Sequence, residues 1–423
     1  MKSRRINQID SEANRLLLEE EKRQQNTLNL IASENYPSKA VLSALGSVLD
    51  SKYAEGYPKK RYYAGNLVID KVEKLAQKRA LQLFLPKNHR DKFKVNVQPY
   101  SGSPANIVVY AALLGRGDKV LAMDLSQGGH LTHGAKVNFS GKFWNFSYYG
   151  VDRKTEKLDY NQILSIAKKE KPKLIVCGAT AYPREIDFRQ FSQIAQKVGA
   201  ILMADISHIA GLIVGGVHSS PFPTSRAGRF CVDVVTSTTH KTLRGPRSAF
   251  IISKNKLAKR IDQAVFPGLQ GGPHENEILA KAICFKEASR KEFKNYAQQV
   301  VKNAQVLAEG LEKNGLRLVS GGTDNHLVLI DLRSINLRGL RAQNLLEQAG
   351  IISNRNPIPY DINPAYNPSG LRLGTAAITS RGMKEKEMEE IAEIIVQILK
   401  NKTISKIIKS KVRILCRKFP LNI

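Results

Sequence analysis

The sequence predicts an α/β protein with a mostly parallel central sheet, followed by a smaller α+β unit towards the C-terminus. Two observations support this prediction. From about residue 95, short continuous apolar runs alternate with longer helical patterns, which is typical of a parallel sheet covered by helices on both faces. After about residue 313 this alternation ends, and shorter apolar segments are followed by helical patterns at 339–349 and 384–400. We therefore expect two structural units of unequal size.

A polar helix is expected over about residues 8–25, ahead of the sheet. The strands expected for the central sheet lie at 95–97, 120–123, 174–177, 201–204, 232–235 and 249–252. Helices are expected at 104–114, 159–169, 187–198 and, as one long stretch, 275–313. Strands at 316–319 and 326–332 open the smaller unit. We divide the chain into an N-terminal arm (1–50), a large α/β domain (51–280) and a smaller α+β domain (281–423).

The composition argues against a membrane or secreted protein. No apolar run approaches the roughly 18 residues of a membrane-spanning helix. The basic N-terminus leads into Asn, Gln, Asp and Glu, whereas a signal peptide would continue into an apolar segment. Cys177, Cys231, Cys284 and Cys416 are far apart and form no CxxC pair, which favours structural thiols in a reduced, cytoplasmic protein.

The net charge of +29 is compatible with a polyanionic partner. Basic residues are spread along the whole chain, however, and we attribute them to compositional bias. No acidic residue follows Glu393, and lysines and arginines alternate there with isoleucine, leucine and valine. This pattern predicts a terminal helix that packs on the body and has a solvated basic face. Nucleic-acid contact is the less favoured alternative.

The most informative motif is Thr-Ser-Thr-Thr-His-Lys-Thr-Leu-Arg-Gly-Pro-Arg at 236–247, directly after an expected buried strand. Ligands of such sheets bind at the carboxyl ends of strands. Burial there lowers the pKa of a lysine, so that its amine becomes a nucleophile able to form a Schiff base with an aldehyde cofactor. A lone lysine is more often a surface residue, and the interpretation of Lys241 therefore depends on its neighbours.

Two further motifs stand at strand ends. Asp205 follows the strand at 201–204, where a carboxylate can pair with a protonated pyridine nitrogen and make the ring a better electron sink. Helix capping is the ordinary alternative. The segment Tyr-Ser-Gly-Ser-Pro-Ala-Asn at 100–106 joins a strand to a helix. Small residues at a helix N-terminus expose backbone N–H groups to a phosphate, and serine hydroxyls add donors. The order of phosphate loop, acid and lysine is more informative than any one motif.

Other motifs are spread over nearly the whole chain. They are Leu-Ile-Ala-Ser-Glu-Asn-Tyr at 30–36, Lys-Tyr-Ala-Glu-Gly-Tyr-Pro at 52–58, Arg-Tyr-Tyr at 61–63, Gly-Gly-His-Leu-Thr-His-Gly at 128–134, Gln-Gly-Gly-Pro at 270–273, Ser-Gly-Gly-Thr-Asp-Asn-His at 320–326 and Arg-Lys-Phe-Pro at 417–420. Together with the lysine motif they resemble the serine hydroxymethyltransferase family. The resemblance implies a fold-type-I pyridoxal-phosphate enzyme of the aspartate-aminotransferase type. Such an enzyme interconverts serine and glycine and passes the one-carbon unit to tetrahydrofolate.

The resemblance also implies roles for the matching residues. Lys241 would hold pyridoxal phosphate covalently, Asp205 would pair with its ring nitrogen, and Arg372 would bind the substrate carboxylate, since its planar fork matches a carboxylate. Further cofactor contacts are implied for Ser101, Gly102, Ser103, His130, Thr180, His208 and Thr238, with Tyr53 and Gly272 from a partner subunit. Further substrate contacts are implied for Ser33, Tyr63 and His208. Catalytic roles are implied for Lys241, Glu55, Tyr63, His130 and His240.

The folate site implied by the resemblance is bordered by Glu55, Leu125, Gly129, His130, Leu131, Asn356, Pro364, Ala365 and Tyr366. The last three depart from the Ser-Pro-Phe of many family members, which puts the folate geometry in question. Other departures are Ala64 in place of a usual glycine, Ser207 in place of alanine, and Ser248-Ala249 in place of two glycines. None of them changes the lysine, the aspartate or the arginine.

Two alternative functions remain open from the sequence. A related pyridoxal-phosphate aldolase without folate dependence is disfavoured by Glu55 and the tyrosine pair. A catalytically idle, basic RNA-binding homologue is disfavoured by the intact lysine, aspartate and arginine. No metal is expected, because His130 and His133 have no third ligand at a suitable spacing. The family resemblance implies a homodimer, with a tetramer as the alternative, and neither membrane nor nucleic acid is expected as a partner.

Overall fold

The structure, a computed structural model, describes residues 2–222 and 232–421. Its helices are α1 (Lys2–Ile9), α2 (Ser11–Gln25), α3 (Lys39–Leu45), α4 (Leu67–Phe84), α5 (Gly102–Leu113), α6 (Phe139–Phe143), α7 (Tyr160–Glu170), α8 (Phe188–Val198), α9 (Ala210–Gly215), α10 (Asn255–Gln263), α11 (Glu275–Ala288), α12 (Lys291–Lys313), α13 (Gly339–Gln348), α14 (Ala376–Ser380), α15 (Glu385–Asn401) and α16 (Lys406–Lys418). Its strands are β1 (Leu28–Asn29), β2 (Gly56–Tyr57), β3 (Lys60–Arg61), β4 (Phe93–Asn96), β5 (Lys119–Met123), β6 (Asn145–Tyr149), β7 (Leu174–Cys177), β8 (Ile201–Asp205), β9 (Val234–Thr238), β10 (Ala249–Lys254), β11 (Arg317–Leu318), β12 (Leu327–Asp331), β13 (Ile351–Ile352), β14 (Asn354–Asn356) and β15 (Gly370–Gly374).

A seven-stranded sheet forms the centre of the molecule, in the order β4-β10-β9-β8-β7-β5-β6. The five strands from β9 to β6 are parallel, and β10 runs antiparallel to both of its neighbours. The predicted mostly parallel sheet is therefore confirmed. Since β8 and β9 are adjacent and parallel, with Asp205 paired to Thr236, the segments that follow them emerge at the same edge.

A second sheet of four antiparallel strands, β11-β12-β15-β14, belongs to the C-terminal part of the chain. Its apolar residues share one buried cluster with α15, α16 and the N-terminal Leu28 and Leu30. Strand β1 pairs with β13, so the N-terminal segment is attached to the C-terminal part. The predicted three-part division of the chain stays a prediction.

Most predicted elements are present within about two residues of their expected bounds. The single polar helix expected over about residues 8–25 was wrong in its N-terminal part, because the Asp10 side chain caps a new helix: α1 ends at Ile9 and α2 begins at Ser11. Three other elements also differ. Strand β9 starts and ends later than expected, at Val234 and Thr238. Just before it, the Asp233 carboxylate accepts the Leu202 N–H at 3.0 Å and pairs with Lys254. The long helix is divided into α11 and α12 where Arg290 is extended. The strand expected at 316–319 ends at Leu318 in a short turn. Strands β1, β2, β3, β6, β13, β14 and β15 were not predicted.

The thiols of Cys177, Cys284 and Cys416 are buried, and Cys231 lies outside the described residues. Helix α16 buries Ile408, Val412, Leu415 and Cys416 and leaves most of its basic side chains exposed, as predicted. None of the helices in the described residues combines the length and the apolar character that a bilayer crossing requires.

Candidate active site

A cavity of about 160 Å³ opens where the central sheet meets its connecting loops. Its lining includes ten of the predicted site residues: Ser101, Gly102, Ser103, His130, Thr180, Asp205, His208, Thr238, His240 and Lys241. Ala179, Ser207 and Arg247 complete it. Residues that are far apart in the chain meet here because β4, β5, β7, β8 and β9 all direct their C-terminal ends towards this edge.

Lys241 lies three residues beyond β9, and only 9 % of its surface is exposed. Its Nζ donates to Thr238 Oγ1 at 3.4 Å. Burial lowers the pKa of Lys241 to about 8. The negative charge of Asp205 acts in the opposite direction and raises this pKa, whereas the positive charge of Arg372 lowers it further. About a tenth of the amine is therefore neutral at pH 7, far more than for an ordinary lysine, and the neutral amine is the nucleophile. The lysine loop is held from outside by Asn35, whose side chain donates to the Lys241 carbonyl at 2.8 Å.

Asp205 ends β8 and is fixed by three donors. Asn106 Nδ2 donates to Oδ2 at 2.8 Å, and the Ser207 N–H donates to Oδ1 at 3.0 Å. His133 Nδ1 accepts the His130 N–H, so the proton of the ring is on Nε2, 3.3 Å from Asp205 Oδ2. Burial acts against ionisation, but the hydrogen bonds that Asp205 accepts, first from His133 and then from Asn106, outweigh it and hold the pKa of Asp205 well below its usual range. A negative charge is therefore retained inside the site.

The N-terminus of α5 forms the other side of the cavity. Ser101 precedes the helix, and its hydroxyl caps none of the helical N–H groups. A Cβ atom built on Gly102 would lie 2.7 Å from Thr238 Cγ2, so only glycine fits at this point. The serine hydroxyls and helical N–H groups are thus available to an anion beside Thr238.

Three histidines of the site are uncharged. Burial lowers the pKa of His130 to about 4, with a further contribution from His133, and lowers the pKa of His240 to about 3. The His208 ring stacks on the His326 ring with centroids 5.4 Å apart, and burial holds the pKa of His208 well below its usual range. Neutral rings at these positions can pack against an aromatic ligand without the cost of burying a charge.

Arg372 borders this cavity from the second sheet. It is the middle residue of β15, and 6 % of its surface is exposed. Its Nη1 donates to the Thr180 carbonyl at 2.8 Å and its Nε donates to Asn354 Oδ1 at 3.2 Å. Burial lowers the pKa of Arg372 to about 10. Within residues 2–222 and 232–421, no carboxylate forms an ion pair with it, although a buried guanidinium is normally paired.

A second group of predicted residues is separate from the lysine cavity. Glu55 lines a wider depression of about 600 Å³ with Tyr62 and residues 266–271. The rings of Tyr53 and Tyr63 are 5.1 Å apart, and Gly272 lies against Tyr53. The structure of one chain therefore does not bring these residues to Lys241. Ser33 lies near the strand that carries Arg372. The preceding residue, Ala32, packs its backbone against Gly374, the last residue of β15.

The residues predicted to border folate, other than His130, are also outside the lining of the lysine cavity. Leu125 and Leu131 are exposed on the segment after β5, and Gly129 is packed so closely on Met123 that a Cβ atom would clash. Asn356 ends β14. Pro364, Ala365 and Tyr366 are exposed in the loop before β15, with 73 % of Tyr366 accessible. Asp361 holds this loop through the N–H and hydroxyl of Ser369, both at 2.7 Å.

Several residues of the site had no predicted role. Asn106 and His133 hold Asp205, Asn35 holds the lysine loop, and Arg247 adds a positive charge to the cavity. Each of these four residues belongs to a motif that the sequence analysis had already identified. Their membership in these motifs could have predicted a role in the site. Among the described residues, no group of three His, Cys, Asp or Glu side chains is arranged to hold a metal ion.

The residues present fit pyridoxal phosphate. A weakly basic amine, an ionised buried carboxylate and an anion-accepting helix start surround one cavity, and a buried arginine without an acidic partner borders it. These features at the strand ends of such a sheet define a pyridoxal-phosphate enzyme of fold type I.

The chain belongs to the serine hydroxymethyltransferase family, whose model matches residues 6–395. It therefore interconverts serine and glycine and transfers the one-carbon unit to tetrahydrofolate, with pyridoxal phosphate as its cofactor. The predicted fold type, reaction, cofactor and co-substrate are confirmed. No observation on the described residues favours the folate-independent aldolase or the RNA-binding homologue.

Proposed function

We propose that Lys241 carries pyridoxal phosphate and that Arg372 binds the α-carboxylate of serine or glycine. The observation that carries the proposal is the unpaired guanidinium of Arg372, buried beside the lysine cavity and bonded to its wall at Thr180. A carboxylate bound there would supply the missing charge partner in bidentate geometry. The carboxylate would also orient the substrate, and orientation decides which bond at its α-carbon is aligned for cleavage.

Pyridoxal phosphate, when bound, supplies the ring that accepts electrons from the substrate α-carbon. The chain supplies the surroundings. Asp205, kept ionised by His133 and Asn106, would hold the proton of the pyridine nitrogen. Ser101, Gly102, Ser103 and Thr238 would bind the phosphate. His130 would pack on the ring, and Thr180, His208 and His240 would complete the pocket. With a pKa of about 8, the Lys241 amine could also accept and return protons.

We further propose that the site is completed by a second copy of the chain. Tyr53, Glu55, Tyr63 and Gly272 form one cluster, and the surface around it is rich in exposed apolar side chains. Tyr62 and Leu269 line the depression beside Glu55, and Val48, Leu67 and Val68 are exposed on the chain segments that precede Tyr53 and follow Tyr63. A patch of this kind is typical of a protein interface. In a homodimer it would bring Tyr53 and Gly272 to the phosphate, and Tyr63 and Glu55 to the substrate of the partner. A tetramer of two such dimers is the alternative.

Folate would lie over the cavity mouth, between Leu125, Gly129 and Leu131 on one side and Asn356 with residues 364–366 on the other. Glu55 would transfer a proton at the serine hydroxyl, and Ser33 would assist Arg372. We also propose a cytoplasmic location and no nucleic-acid partner, since the basic face of α16 has the exposure of an ordinary solvated helix.

The decisive experiment is reduction with borohydride of the protein loaded with pyridoxal phosphate, followed by peptide mass spectrometry. We expect a stable cofactor adduct on Lys241 and no adduct in Lys241→Ala. Titration of the visible absorbance with glycine, before and after tetrahydrofolate, then tests both ligands. An adduct on another lysine would overturn the assignment of Lys241. A glycine response without any folate effect would contradict the proposed folate contacts at 364–366.

A complementation experiment tests the shared site. Lys241→Ala and Glu55→Gln chains, each inactive alone, are mixed, unfolded and refolded together. If Glu55 acts in the partner's site, hybrid dimers hold one site with both residues intact, and activity returns. If Glu55 acts within its own chain, each site of the hybrid keeps one defect and the mixture stays inactive.

A further inference from the structure

The hydroxyl of Ser207 belongs to the wall of the lysine cavity. Ser207 is buried two residues beyond Asp205, and it lines the cavity with Ser101, Gly102 and Ser103. A Cβ atom built on Gly102 would lie 3.9 Å from Ser207 Oγ, so the hydroxyl is close to the start of α5. Its own N–H is used by Asp205, which fixes the backbone of this turn.

The Ser207 hydroxyl accepts one hydrogen bond but donates none within the described residues. Ser207 Oγ accepts the backbone N–H of Thr238 at 3.1 Å. Its own proton is not donated to any acceptor in the described part of the chain. A buried hydroxyl normally uses its donor as well as its acceptor. The unused proton can therefore be directed to a ligand in the cavity that the hydroxyl lines.

We propose that Ser207 is an additional ligand of the cofactor phosphate, donating its hydroxyl proton to a phosphate oxygen. The proposal rests on the proposed function of Lys241 and of residues 101–103. Since the Thr238 N–H points at Ser207 Oγ, amide, hydroxyl and phosphate would form one chain of hydrogen bonds in which each donor polarises the next. The alanine usual at this position in the family has no such donor, so this contact would be particular to chains with serine here.

The consequence is a tighter hold on the phosphate group in particular. Hydrogen bonds to charged acceptors contribute about 1.5–3 kcal/mol, and we therefore expect Ser207→Ala to weaken pyridoxal phosphate binding about 10- to 100-fold. Pyridoxal, which has the same aldehyde and ring but no phosphate, should bind Ser207→Ala as well as it binds the unaltered protein. The ³¹P NMR shift of the bound cofactor should change with the substitution.

The matched control is Ser237→Ala. Ser237 is also buried and also contacts the Thr238 backbone, donating its hydroxyl to the Thr238 carbonyl at 2.8 Å, but it does not line the cavity. If Ser207 acts only by positioning Thr238, which is itself a proposed phosphate ligand, Ser237→Ala should weaken pyridoxal phosphate binding as much as Ser207→Ala does. That result, or unchanged affinity and ³¹P shift in Ser207→Ala, would overturn the proposal.

Cofactor binding by the unaltered protein distinguishes a failure of the Ser207 proposal from a failure of the proposed function of Lys241. If the unaltered protein fails to bind pyridoxal phosphate, or forms its adduct away from Lys241, the proposed function fails. If it binds through Lys241 and Ser207→Ala loses no selectivity for the phosphate, the inference on Ser207 fails alone. A conservative Ser207→Thr variant, which keeps the hydroxyl, should retain the ³¹P shift of the unaltered protein.

Discussion

The side chain of Arg372 donates a hydrogen bond of 2.8 Å to the carbonyl oxygen of Thr180. Arg372 is in the second sheet, and Thr180 is in the segment that follows β7 of the central sheet. One contact therefore joins the residue proposed to bind the substrate carboxylate to the wall of the cofactor cavity. The position of that guanidinium depends on how the two sheets are packed.

Arg372→Lys should raise the KM for serine and the dissociation constant of glycine about 10- to 100-fold. Lysine keeps the positive charge but loses the planar fork, and with it one hydrogen bond to a charged group. The measurement is glycine binding together with steady-state kinetics. Arg317→Lys is the control, since Arg317 belongs to the same sheet but, unlike Arg372, has its charge already paired, with Asp331 and Glu156. An equal effect of both substitutions would count against a substrate role for Arg372.

Asp205→Asn should lower kcat by at least about 10²-fold, the order typical of the loss of one preorganised electrostatic group. The amide is similar in shape but cannot hold a proton on the pyridine nitrogen. Asp233→Asn is the control, because Asp233 pairs with Lys254 near the opposite end of the same strands. Steady-state kinetics on cofactor-saturated proteins checks the prediction. A kcat for Asp205→Asn close to that of the control would contradict it.

Glu275→Gln should stabilise the protein above about pH 8. Glu275 is buried, at 1 % exposure, and neither of its carboxylate oxygens has a hydrogen-bond partner among residues 2–222 and 232–421. Burial, with a contribution from the neighbouring Glu73, raises the pKa of Glu275 from 4.5 to about 8. The folded state thus favours the protonated form, and stability is lost as pH rises from 4.5 to 8, by up to about 1.4 kcal/mol per pH unit.

Urea unfolding between pH 5 and pH 9, at about one-unit intervals, tests this prediction. The free energy of unfolding of Glu275→Gln should change less with pH than that of the unaltered protein. Glu277→Gln, on the same helix but partly exposed, should keep the original pH dependence. If Glu275→Gln keeps it as well, the carboxyl is not the group that titrates.

Ser248→Gly should destabilise the protein by about 1–3 kcal/mol, although glycine is usual here in the family. Lys281 is fully buried and donates to Ser248 Oγ at 2.9 Å, and to the carbonyls of Val97 and Ala249. With glycine at position 248, one of the three ammonium protons of Lys281 would have no acceptor. A buried donor without an acceptor lowers the free energy of unfolding by its uncompensated desolvation penalty. In a Lys281→Met background the same substitution should cost much less, and a double-mutant cycle measures the difference. Equal losses in both backgrounds would show that the lysine is not involved.

The sequence alone predicted most of the central sheet, because continuous apolar strands between helices leave a local periodic pattern. It missed β15, the strand that carries Arg372, although Leu371 and Leu373 flank the arginine on either side. Three residues between two glycines give too short a pattern to distinguish from a loop. The division between α11 and α12 was missed for a similar reason, since Arg290 leaves the helix without a glycine or proline to signal it.

By itself the sequence determined the family, the reaction and the order of phosphate loop, acid and lysine, because each depends on short motifs at strand ends. Only the tertiary structure decided which side chains hold these groups. Asn106 reaches Asp205 across 99 residues, and Arg372 reaches Thr180 across 192. The reason is that a motif fixes local backbone geometry, whereas strand order and sheet packing determine which distant motifs become neighbours. The hydrogen bond from Thr238 to Ser207, and the distance of Glu55 from Lys241 within one chain, follow from that packing.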